Sequence, residues 1–187
     1  MKKFYITTAI DYVNAKPHLG HAYEKICTDV IARWKRLEGK SVFFLTGVDE
    51  NAQKNVEAAQ KARIQVKEFI DKNAQLFIDL CKKINLSHDD FIRTTAKEHS
   101  LVVQKLVQRM LDKEDIYKAT YEGLYCVGCE TYYTEKDLVG GKCPEHNKEP
   151  ELRTEEAYFF KLSKYTEQLK KIVPKYKIGR ASCRERV

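Results

Sequence analysis

No stretch of this chain stays apolar for the ~20 residues that a membrane-spanning helix needs. Its start, Met1-Lys2-Lys3-Phe4-Tyr5-Ile6, has no apolar segment of signal-peptide length before polar residues return. No internal repeat and no low-complexity linker is present. The cysteines are not spread out as a disulfide framework: three of the six fall between Cys126 and Cys143, next to His146. These absences argue against a membrane-embedded protein, a secretory precursor, a repeat array and a disulfide scaffold. A cytoplasmic protein with no membrane partner is expected.

What is present is a globular composition. The 187 residues are 43% hydrophobic and 33% charged, enough for one good core and a small satellite. The formal net charge of +7 suits a nucleic-acid partner, but decides nothing alone. Phe4 to Thr8 is β-branched and aromatic and reads as a buried strand. A polar loop with Asn14 and Pro17 follows. From Leu19 the apolar positions Leu19, Ala22, Ile26, Val30, Trp34 and Leu37 step by three or four, and Gly39 stops the helix. Ser41 to Thr46 is a second strand, continuous enough in apolar residues to be covered on both faces. Together these make a βαβ unit with a parallel sheet.

Three helices are expected next, at Glu50–Ala62, Val66–Ile84 and Glu98–Leu111, with apolar stripes read as core faces. From Ile116 to Thr154 the chain is rich in Gly, Tyr, Thr and Cys in short segments, as small hairpins around a metal would be. A last amphipathic helix carries Leu162, Tyr165, Leu169 and Ile172 in register.

The chemistry-bearing residues concentrate in two places. Asn14-Ala15-Lys16-Pro17-His18-Leu19-Gly20-His21 joins the first strand to the first helix. Free N–H groups and the helix dipole at that end favour phosphate, and Gly20 lets a nucleotide approach the backbone. His18 and His21 read either as phosphate contacts or as surface residues of a helix start. Asp49, after the second strand, reads either as a helix cap or as a ligand-binding carboxylate. The second place is Cys126-x2-Cys129-x13-Cys143-x2-His146, two short-spaced ligand pairs suited to one tetrahedral structural zinc. Gly128, Gly140 and Gly141 suit the knuckle turns. Cys27 and Cys81 lie on helical faces and read as core residues.

The HLGH string resembles the HIGH signature of class I aminoacyl-tRNA synthetases. The longer strings AIDYVNAKPHLGHAYE, FFLTGVDENAQK and YEGLYCVGCETYYTEKDLVGGKCPEHNKEPELRTEEAYFFKLSKY resemble the methionyl-tRNA synthetase family, and the likeness runs over residues 4 to 173. The resemblance implies an α/β fold: the first half of a Rossmann-like, HUP-type parallel-sheet nucleotide-binding domain, with a small zinc-knuckle insertion near the acceptor end of tRNA. It divides the chain into residues 1–115, the catalytic half, and 116–177, the insertion, with the knuckle over about residues 120–150.

It also implies ATP with Mg, L-methionine and tRNA(Met) as substrates, one structural zinc, and a homodimer contact, where one forms, in a downstream C-terminal region. Asn14 and Gly20, with Tyr12, would line the ATP site; His18 and His21 would contact its phosphates and carry the catalysis; Ile10, Tyr12 and Asp49 would bind methionine, Asp49 at the α-ammonium. Asp11 stands where some relatives have proline, and Ala52 where glycine is common. Rival readings are another HxGH nucleotidylyltransferase and a non-catalytic zinc-ribbon module for nucleic acid. TGVDENAQ and the knuckle argue against the first, the HLGH loop in a βαβ setting against the second. The likeness stops before Ile178–Val187 (IGRASCRERV), which can be written codon by codon as a sequencing-adapter oligonucleotide. That segment is expected not to come from the source gene. The rest is expected to be an inactive fragment without the Lys-Met-Ser-Lys-Ser-like loop and the anticodon-binding domain.

Overall fold

The computed structural model describes residues 2–175. The segment Ile178–Val187, with Cys183, lies outside the described residues. The chain falls into two compact units that part between Val103 and Gln104, earlier than the expected division at 115/116.

The first unit is built on β1 (Lys3–Tyr12), α1 (Leu19–Leu37) and β2 (Ser41–Asp49), followed by α2 (Gln53–Ala62), α3 (Val66–Lys83), β3 (Asp90–Arg93) and the start of α4 (Lys97–Asp112). The sheet order is β1-β2-β3, parallel throughout. As the central strand, β2 buries Phe44, Thr46, Gly47 and Val48, on both faces, as its apolar run predicts. Two apolar clusters form: Ile6, Ala32, Phe44, Cys81 and Leu86 in one, Val13, Val48, Ile70, Ala74 and Phe77 in the other. Cys81 is thus a core residue, and Cys27 is half-buried.

Three expectations need correction. First, β3 was not anticipated. Second, α1 turns Leu19, Ile26, Val30, Trp34 and Leu37 outward and buries Lys25, Thr28, Asp29 and Ala32 instead. Its inner polar groups are matched one by one: Asp29 Oδ1 accepts from the Ser87 N–H and hydroxyl, and Thr28 donates to the carbonyl of Glu24. Third, the α4 stripe is not a core face: α4 buries no residue, and Val102 is 65% exposed. An apolar stripe records that a face suits burial; nothing among the described residues covers this one.

The β1–β2 register runs from Lys3↔Ser41 to Thr7↔Leu45 and resumes at Ile10↔Gly47, so β1 spends three steps where β2 spends two. This bulge reverses the alternation of β1: Ile6 and Thr8 point inward before it, Asp11 after it. The freed N–H of Ala9 donates to Glu24 Oε1 of α1 at 2.9 Å.

β2 and β3 meet at Gly47, where a Cβ would lie 2.2 Å from the carbonyl oxygen of Ile92. A backbone atom cannot swing aside as a side chain can. Gly47→Ala is therefore expected to destabilise the unit by about 3 kcal/mol, the upper part of the usual overpacking range. A urea midpoint unchanged from the parent would refute this.

The second unit is antiparallel, with β4 (Ile116–Cys126) between β5 (Thr131–Tyr133) and β6 (Glu151–Phe160). The β4–β6 ladder runs from Ile116↔Phe160 to Tyr125↔Glu151. At its root, buried Asp115 accepts from Lys164 Nζ (2.6 Å) and the Tyr165 hydroxyl (2.5 Å). These bonds hold the Asp115 carboxyl below its usual range and keep it charged. The last helical segment is α5 (Thr166–Ile172), flanked by 3-10 turns. Among the described residues, no helix is long and apolar enough to cross a membrane.

Candidate active site and metal knuckle

Both candidate sites sit where the local backbone leaves groups to be satisfied. At the carboxyl end of β1, Asn14 is exposed in the turn, and His18 caps α1. The Gly20 N–H donates to His18 Nδ1 (3.0 Å), and the His18 N–H donates to His21 Nδ1 (3.0 Å). The rings lie 3.8 Å apart, and His21 meets Phe77 edge-on at 5.2 Å. Both Nδ1 atoms act as acceptors, so each neutral ring carries its proton on Nε2. Burial is the largest influence on His21 and lowers its pKa, which favours the neutral form. A Cβ on Gly20 would come within 2.8 Å of His18 Cε1, so the space left by this glycine is used by the histidine ring itself.

The next strand end supplies the carboxylate. Asp49 is the β2 partner of Tyr12, and Gly47 that of Ile10, so Ile10, Tyr12 and Asp49 share the carboxyl end of adjacent parallel strands. Lys54 Nζ lies 4.8 Å from the Tyr12 ring. Asp49 does not cap α2. That cap is Ala52, which makes no side-chain cap bond, while Asp49 Oδ1 accepts only the Asn51 N–H at 3.3 Å among its described hydrogen bonds. Ala52 has an ordinary extended φ of −116°. Behind this turn, Asn55 donates to the carbonyls of Asp49 and Glu50. Buried Glu50 accepts from Arg93 and Thr95, and Arg93 also pairs with Asp71. The sequence gives no sign of this Asn55–Glu50–Arg93 brace, because Arg93 lies 43 residues from Glu50 and meets it only in the fold.

In the second unit, Cys126, Cys129, Cys143 and His146 bring their ligand atoms within 4.8 Å of one another. His146 presents Nδ1, 3.1 Å from Cys129 Sγ. The Cys129 and Cys143 sulfurs are 3.4 Å apart, too far for a disulfide and near the edge of about 3.8 Å that tetrahedral zinc–sulfur bonds would give. Burial pushes the Cys143 thiol up, but the His146 N–H, the His146 ring and the Glu145 N–H outweigh it and bring its pKa down to about 6. The Tyr133 hydroxyl lies 3.2 Å from Cys129 Sγ. Gly140 and Gly141 adopt φ of +59° and +77°, as their turn requires. Gly128 serves differently: a Cβ there would lie 2.6 Å from the His146 ring. Three soft thiols and an imidazole so close together form a group able to bind a metal.

A parallel sheet, a histidine-capped helix at its carboxyl edge and a Cys3His knuckle define a class. The chain belongs to the family described as tRNA synthetases class I (M), whose profile matches residues 4–149. The methionine–tRNA ligase of Clostridium acetobutylicum is 48% identical over 92% of this chain and 27% of that protein. That of Thermotoga maritima is 47% identical over 90% of this chain and 28% of its own length. The chain thus spans about a quarter of these relatives. Among solved structures, the Mycobacterium tuberculosis methionyl-tRNA synthetase in complex with methionyl-adenylate matches with a TM-score of 0.85 and 41% identity, over 94% of this chain and 35% of that one. A LeuRS–tRNA complex from Agrobacterium radiobacter, 20% identical with a TM-score of 0.74 over 93% of this chain and 23% of that one, shares the fold.

Proposed function

We propose that this chain is part of a methionine–tRNA ligase of the cytoplasm, contributing residues that bind ATP and methionine and a zinc knuckle that serves tRNA(Met). The observation that carries the reading is the His18–His21 box at the start of α1, beside the Tyr12–Asp49 strand pair. In the first step, a methionine carboxylate oxygen bonds to the α-phosphorus of ATP as the bond to the pyrophosphate oxygen breaks. The carboxylate is ionised at neutral pH, so no general base is needed; positioning and charge stabilisation dominate. The Nε2–H groups of His18 and His21 donate to phosphate oxygens, with Asn14 and Gly20 on the nucleotide side. Asp49 holds the α-ammonium, and Ile10 and Tyr12 face the thioether side chain. Mg accompanies ATP and neutralises its phosphates. In the second step the methionyl group passes to the terminal ribose hydroxyl of tRNA and AMP leaves. The Cys3His set holds zinc as a structural ion, all four positions being filled by protein.

The test is ATP–pyrophosphate exchange by the protein extended to the length of its relatives, with each amino acid in turn. Exchange dependent on methionine is expected; exchange dependent on another amino acid, or none, would overturn the reading.

A further inference from the structure

Lys25 is 0% exposed, an unusual position for a lysine, and its Nζ lies 2.5 Å from Oδ2 of Asp11, itself buried. Neither residue belongs to the site described above. Asp11 faces inward only because the β1 bulge reverses the strand, and α1 supplies both groups that secure this stretch: Glu24 for the N–H of Ala9, and Lys25 for the Asp11 carboxylate. The other oxygen of Asp11, Oδ1, is 3.9 Å from Nε2 of His21. That is longer than a hydrogen bond, so the coupling runs through charge. His21 Nδ1 is already engaged by the His18 N–H, so Nε2 carries the ring proton, and the Asp11 carboxylate lies near it at a range that leaves this N–H free to donate to phosphate.

We propose that Asp11 and Lys25 form a positioning pair for His21: the carboxylate holds the imidazole in its Nε2–H tautomer, and the ammonium cancels the negative charge that would otherwise stand beside the ATP phosphates. The proposal rests on the assignment of His21 to the ATP site. Its logic is electrostatic balance. An anion alone near that site would repel phosphate and draw a second proton onto His21. A proton on Nδ1 would remove the acceptor for the His18 N–H and open the cap. A cation alone would disfavour protonation of His21 but leave a buried charge unmatched. The charged groups acting on His21 are Asp11 from β1 and Lys25 and Glu24 from α1, with His18 at the cap; Phe77 of α3 meets it with an apolar ring edge. Asp11 and Glu24 raise its proton affinity, and His18 and Lys25 lower it.

Asp11→Asn, Lys25→Met and the double variant are compared with the parent in the protein extended to the length of its relatives. The quantity read is kcat/KM for ATP in pyrophosphate exchange against pH, which reports ionisations of the free enzyme. Lys25→Met is expected to move the acidic limb up by about one pH unit, and Asp11→Asn to move it down, the size expected for loss of one nearby charge. The double variant is expected to return close to the parent limb and to fold where a single variant does not. If the parent shows no methionine-dependent exchange, the ATP-site reading fails. If the parent exchanges but the limb of a folded single variant coincides with the parent's, the pair is structural only and the proposal is wrong. A double variant displaced as far as the single ones would overturn it too.

Discussion

Removing the metal is expected to melt the tip of the second unit while leaving the first intact. The four ligands come from two loops with little apolar burial between them; Cys126 and Cys143 are the only buried hydrophobic residues of the second unit among those described. Without an ion, three sulfurs and an imidazole nitrogen remain crowded within 4.8 Å, and the turns at Glu130 and Asn147 still hold left-handed φ of +51°. Structural zinc in small domains contributes about 10–16 kcal/mol of apparent binding energy coupled to folding. Titration with a strong chelator should release one zinc per chain. Hydrogen exchange should then accelerate across residues 126–147, while the α3 amides stay protected. A carefully reduced protein with no bound metal, or exchange that ignores the chelator, would sink the idea.

The second large effect is expected at Asp49. In the protein extended to the length of its relatives, Asp49→Ala should raise the methionine KM about 10- to 150-fold, the range for a lost charged hydrogen bond of ~1.5–3 kcal/mol. The ATP KM should stay within about twofold. The structure supplies the control. Asp49 Oδ1 also accepts from the Asn51 N–H, so alanine removes a turn contact together with the charge. Asp49→Asn retains that acceptor and loses only the charge, and Asn55 still holds the carbonyls on either side of the turn. Asparagine should therefore be nearly as damaging as alanine. A variant with asparagine and an unchanged methionine KM would show that Asp49 only shapes the turn.

Legibility in the sequence followed the physics of each element. The βαβ unit was readable because β1 is β-branched and aromatic, β2 carries a continuous apolar run, and Gly39, at φ +76°, closes α1. The knuckle was readable because metal chemistry imposes its own spacing. β3 was not: Asp90–Arg93 has four residues, charged at both ends, and no period to detect. The inner face of α1 was concealed because Lys25 and Asp29 look like surface residues until Asp11 and Ser87 appear opposite them. A bulge such as that of β1 has no composition signal, so the inward turn of Asp11 was equally hidden. Asp49 as a cap or a ligand-binding group could not be separated by type, because aspartate suits both; the helix start at Ala52 removes the capping role.

The β4–β6 ladder is also a lever. From Ile116↔Phe160 to Tyr125↔Glu151 it extends about 30 Å at the usual rise per residue, with the metal loops at the far end and Asp115 at the near one. A five-degree tilt at the base displaces the tip by about 3 Å, roughly the length of one hydrogen bond. The base of this ladder is fastened by the two bonds from Lys164 and Tyr165 to one carboxylate and by the Lys161 N–H to the Asp115 carbonyl. Any loosening of that base is amplified along the ladder and is largest at the four Cys and His residues of the tip.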